Sequence, residues 1–257
     1  MHVVLNSDIS FMDSFASWIR YHFSVTHLQG AIDSLTRLKI IEKEIKIRLD
    51  TNQEFDLHTH MSCASTGLIL SAAFLEATIN EVFVSCCEDN GVGIDSAKPV
   101  WQAELAEKWA DPAFCRRTSS LRKYQTALEL VRAEKFDENL SPYREVRLVF
   151  ELRNALVHFK PASFPTSSFD EQPLPVHDFE HILAPHVGES PFRNFIPVIR
   201  CSEDEERLIK SPYFPQGCLY SGAVRWAIFA SLAFTDNFFK RLSLRWYYKT
   251  IKLEDDF

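Results

Sequence analysis

The chain has 257 residues, of which 46% are hydrophobic, 13% aromatic and 25% charged. That is ample apolar material for a packed core and excludes a disordered or low-complexity protein. A formal charge of −7, from 28 Lys and Arg against 35 Asp and Glu, excludes a surface that attracts phosphate backbones as a whole, so a nucleic-acid site has to be a local basic patch.

Only 7 glycines serve the whole chain, too few for a fold made of many tight β-turns, and long windows repeat apolar residues every three or four positions. The fold class expected is all-α. A short helix from about residue 9 to 23 is followed by an amphipathic one over 27–49, where Leu28, Ile32, Leu35, Leu38, Ile41, Ile45 and Leu49 share a stripe flanked by Lys39, Lys43, Lys46 and Arg48. Residues 1–55 therefore read as an N-terminal helical extension to a bundle over 56–257.

The longest candidate helix, 59–88, is apolar enough to be buried on most sides, with Thr59 as its expected N-cap and the turn residues Asn90, Gly91 and Gly93 as its stop. Helices over 101–109 and 119–135 follow. Ser141-Pro142 is a start signal, Ser as N-cap and Pro at the first helical position, for a helix over 142–159 that Pro161 ends. Residues 161–216 form a Pro-rich insertion, and a last helix spans 219–246. The four long helices 59–88, 119–135, 142–159 and 219–246 suggest an antiparallel bundle.

The helix opened by Pro142 holds Arg153-Asn154-Ala155-Leu156-Val157-His158. This segment resembles the Arg-x4–6-His signature of the HEPN superfamily, in the form with a polar Asn after the Arg. Three stretches agree in order with such domains: FLEATINEVF at 74–83 looks like a first bundle helix, VFELRNALVHFKP at 149–161 like the motif helix, and AVRWAIFASLAFTDNFFKRL at 223–242 like the closing helix. The resemblance covers roughly residues 58–160 and 217–245. It implies a HEPN-like bundle and a homodimeric endoribonuclease that works without metal or other cofactor, cutting RNA by attack of its own 2′-OH at a composite site with two Arg and two His.

The residue types suit that chemistry. RNA carries its nucleophile, so the protein must supply a proton donor or acceptor and a cation for charge growing on the phosphorus oxygens. His158 is the acid/base, since histidine alone has an unperturbed pKa near neutrality. Arg153 offers a permanently charged fork to the phosphate, and Asn154 positions it. On a regular helix Arg153 and His158 point about 140° apart, so one straight helix does not close a compact site. Either the last turn unwinds or two subunits meet. Arg147, Glu151, Asn154 and His158 form a polar stripe on this helix, and Glu76 with Asn80 form a polar pair in the apolar 59–88 window, placed for Glu76 to brace Arg147 or Arg153. Arg116, Arg117, Arg122 and Lys123 are the candidate RNA-binding cluster, with the basic flank of 37–48 as a second.

Other chemistries are weighed against this one. His177, Glu180 and His181 match the H-x-x-E-H zinc signature of inverzincin peptidases, yet Pro175 and Pro185 limit any helix there to about two turns, and a third ligand would have to be Glu203, Glu205 or Glu206. Asp56, His58 and His60 could edge a metal, but the segment reads better as a helix start. Cys86 and Cys87 read as buried small hydrophobes, and Gly91-Val92-Gly93 lacks a dinucleotide fingerprint. The six cysteines include no C-x-x-C pair and the first residues lack signal-peptide character, so the expected compartment is the reducing cytoplasm. The apolar stretches 67–75 and 223–235 are short for a bilayer, so no membrane is expected as a partner. The partners expected are RNA, a second copy of the chain and, by analogy with toxin–antitoxin or antiviral-defence relatives, a neutralising or regulatory protein. The alternative reading is a non-catalytic dimeric module that binds RNA or protein.

Overall fold

Seven α-helices and one 3-10 turn, with no strand, make up the described residues of the computed structural model, which are 21–51, 53–87, 101–161 and 214–244. The expected helix over 9–23 lies almost wholly outside them, as do the Asn90–Gly93 turn, most of the Pro-rich segment with His177, Glu180 and His181, Glu203, Glu205 and Glu206, and the chain end. The helices are α1 (Phe23–Asp50), α2 (Leu57–Cys86), α3 (Trp101–Ala110), α4 (Pro112–Arg117), α5 (Ser120–Leu130), α6 (Tyr143–Val157) and α7 (Ser221–Arg241), the 3-10 turn Gln216–Cys218 leading into the last. The fold is all-α.

Hydrophobic burial puts α2 in the middle. Its Leu68, Phe74, Leu75, Ile79 and Phe83 are fully buried, and α1, α3, α5, α6 and α7 all pack against it in one continuous core. Each such side chain contributes about 1.5–3 kcal/mol on burial. By length and composition alone α2 is also long and apolar enough to cross a bilayer, which the short stretch 67–75 does not suggest. Alpha1 joins the same core through Leu28, Leu35 and Leu38.

Alpha1 and α2 are antiparallel: Ser24 meets Glu81 at one end, and Glu42 meets His60 at the other. Alpha7 instead runs in the same direction as α2, since Val224 lies against Gly67 and Ser231 Oγ donates to the Ser71 carbonyl at 3.5 Å. The expectation of a purely antiparallel bundle is corrected at this pair. The long connection between α6 and α7 removes the need for neighbours to alternate.

Helix starts are served partly from neighbouring helices. Neither α1 nor α7 has a side-chain bond from its own N-cap residue. Glu81 of α2 accepts the Ser24 N–H at 2.9 Å and the Ser24 hydroxyl at 2.6 Å, with His22 Nδ1 at 3.5 Å. Glu42 of α1 likewise accepts the Ser221 N–H at 2.7 Å and the Ser221 hydroxyl, with His60 Nε2 at 3.3 Å. Two carboxylates thus satisfy orphan N–H groups that no local cap reaches. Burial pushes both carboxyls up, but the hydrogen bonds from His60 and Ser221 to Glu42, and from His22 and Ser24 to Glu81, outweigh it and hold both below the ordinary range.

Other boundaries differ from the sequence reading for identifiable reasons. Asp56, not Thr59, caps α2, accepting the His58 N–H and the Thr59 hydroxyl, each at 2.8 Å. Those bonds hold the Asp56 carboxyl below its usual value. Pro142, not Ser141, sits at the cap of α6, whose first turn is tied by Arg144 N–H to the Leu140 carbonyl at 3.0 Å. Alpha5 stops at Leu130 rather than residue 135, because Arg132 takes a left-handed conformation (φ 59°) and the Ala133 N–H returns to the Leu128 carbonyl at 2.9 Å. Alpha7 stops the same way, with Ser243 at φ 55° and Leu244 N–H on the Phe239 carbonyl at 3.0 Å. Both are Schellman ends without the usual glycine. Cys86 is buried as expected, whereas Cys87 is exposed beyond the helix.

Two outcomes follow. A Cβ at Gly67 would stand 2.4 Å from Val224 Cγ1, so Gly67→Ala should cost about 1–3 kcal/mol in urea unfolding, relieved when Val224→Ala makes room. Because Glu42 and Glu81 titrate lower folded than unfolded, their contribution is complete above the unfolded value of about 4.3 and drains as pH falls through the folded value. The urea midpoint should drop below about pH 4, and Glu42→Gln should cost about 1 kcal/mol at pH 7 while flattening that drop.

Candidate functional site

Alpha6 presents two faces. Val146, Val149 and Leu152 pack inward, while Arg144, Arg147, Asn154 and His158 are exposed and Glu151 is half-buried, so the expected polar stripe is the solvent side of the helix. Arg147 Nε lies 3.9 Å from Glu151 Oε1 across one turn, an exposed pair worth a few tenths of a kcal/mol. His158 is the C-cap residue: its N–H still closes the ladder on the Asn154 carbonyl at 2.9 Å, but its own backbone (φ −105°, ψ 32°) has left the helix. The imidazole, Phe159 and Lys160 beyond it are all exposed.

Arg153 belongs to the flank that meets α2. Its Nη2 donates to Glu76 Oε2 at 3.0 Å, and its guanidinium lies 5.7 Å from the centre of the Phe150 ring. The expected stripe of α6 turns to solvent and does not face α2; Glu76 engages Arg153, which lies outside that stripe, rather than Arg147. The guanidinium has five N–H groups, and this bond occupies one of them.

Asn80, one turn further along α2, accepts from Lys123 Nζ at 2.8 Å, and the same ammonium donates to the Cys115 carbonyl at 2.9 Å and lies 5.1 Å over the Trp109 ring. Burial lowers the Lys123 pKa, the Cys115 thiol and Glu76 carboxylate opposing that, with a net value below that of an ordinary lysine. Lys123 is 5% exposed, so it does not belong to a solvent-facing RNA cluster. It is turned about 100° from Arg122 by the helix, onto the inner face. Arg116, Arg117 and Arg122 remain exposed around the α4–α5 junction. Sequence reasoning grouped Lys123 with them because adjacency in the chain hides this rotation.

Among the described residues no three His, Cys, Asp or Glu side chains converge to hold a metal ion. Asp56 is consumed as a helix cap, and His60 is buried against Glu42. The helix cap Glu42–Ser221 with His60 was not foreseen, and only the apolar flanks of Glu42 in α1 hint that its side chain turns inward.

Comparison with family models, with curated proteins and with solved structures finds no match for this chain.

Lys123→Met should remove two charge-assisted hydrogen bonds and leave the Asn80 and Cys115 oxygens unpaired, costing about 2 kcal/mol in urea unfolding. Arg122→Ala, on the exposed neighbour, should stay within about 0.5 kcal/mol of wild type in the same measurement.

Proposed function

We propose that the chain is a HEPN-like, metal-independent endoribonuclease that acts as a homodimer. The observation that carries this reading is the exposed imidazole of His158 at the C-terminal end of α6, five residues past a guanidinium held in place by Glu76. In this reading the 2′-OH attacks the adjacent phosphorus and the 5′-oxygen leaves. One histidine accepts the 2′-OH proton and one donates to the leaving oxygen, as acid/base chemistry near neutrality requires. Arg153 spreads its charge over the non-bridging oxygens of the pentacovalent transition state, and Asn154, exposed beside it, orients the phosphate. The products are a 2′,3′-cyclic phosphate and a 5′-OH.

Glu76 is the supporting carboxylate. It fixes Arg153 and leaves other N–H groups for phosphate. Arg116, Arg117 and Arg122 supply salt-sensitive affinity on an otherwise acidic protein. A cytoplasmic setting and a neutralising or regulatory protein partner, of the toxin–antitoxin or antiviral-defence kind, belong to the same proposal.

One observation favours a second reading. The Arg153–Glu76 pair links α6 to α2, so the motif would serve as a clasp in a non-catalytic module whose α6 face docks RNA or protein. Incubation of the purified chain with mixed single-stranded RNA in EDTA separates the two. The nuclease reading expects cyclic-phosphate ends from wild type and a loss of at least about a hundredfold in rate for both His158→Ala and Arg153→Ala. Intact RNA with wild type, or equal cleavage by all three, contradicts it.

A further inference from the structure

We draw no further inference here: the strongest candidate, the outer face of α1 where Ile40 and Ile47 stand exposed with Lys43 and Glu44 between them, carries nothing because nothing in the structure shows what covers it.

Discussion

Arg153 and His158 stand five residues apart on one helix, and 3.6 residues per turn set their side chains about 140° apart. The fold hardens that separation. Arg153 is turned onto α2 and tied there by Glu76, while His158 stands at the C-cap on the solvent side, so the two groups of one chain lie on different flanks of α6. In the proposed function, a phosphate contacted by both kinds of group would draw on a second α6.

Alpha2 imposes this arrangement. A helix surrounded by five others can carry polar groups only where partners reach them, because an unpaired polar group away from water costs about 1–3 kcal/mol. On its α5–α6 side the polar residues are Glu76 and Asn80, and each takes a cation from a different helix, Arg153 from α6 and Lys123 from α5. The buried apolar stripes of α6 and α5 set the rotation of each helix, and these two bonds agree with it. The same economy operates at the helix starts, where Glu81 and Glu42 reach across to Ser24 and Ser221. Polar residues on the inner helices meet partners from neighbouring helices, and the exposed face of α6 carries Arg147, Asn154 and His158.

Much of this was legible in the sequence. Period-3.6 apolar stripes located α1, α2 and α6 to within a few residues, and the apolar excess of 59–88 identified α2 as the central helix. The polar pair Glu76 and Asn80 stood out against that background; Glu76 meets the motif helix, whereas Asn80 meets Lys123 of α5. The departures share a cause. Alpha5 and α7 end on Arg132 and Ser243 in left-handed conformations, where a reader of sequence looks for glycine. After α5, buried Gln125 takes both the N–H and the carbonyl of Phe136, at 3.0 and 2.8 Å, and redirects the chain in a way no local propensity records. Alpha4 was legible in principle from Asp111-Pro112, a cap followed by proline at the first position, although the sequence reading passes from the 101–109 helix to the one over 119–135 without it. Lys123 and Glu42 show the same limit: a charged residue at an inward helical position is ambiguous until its partner, far away in sequence, is known.

Subunit mixing tests the two-chain site most directly. Arg153→Ala chains and His158→Ala chains, each inactive alone, are combined and allowed to exchange, and RNA cleavage is followed in EDTA. Hybrid dimers hold one arginine and one histidine from opposite subunits, enough for charge stabilisation and one of the two proton transfers, and should cleave faster than either parent dimer, in proportion to the hybrid fraction. No recovery in a mixture where hybrid dimers demonstrably form, or full wild-type activity from a monomeric species, would contradict a site shared between two subunits.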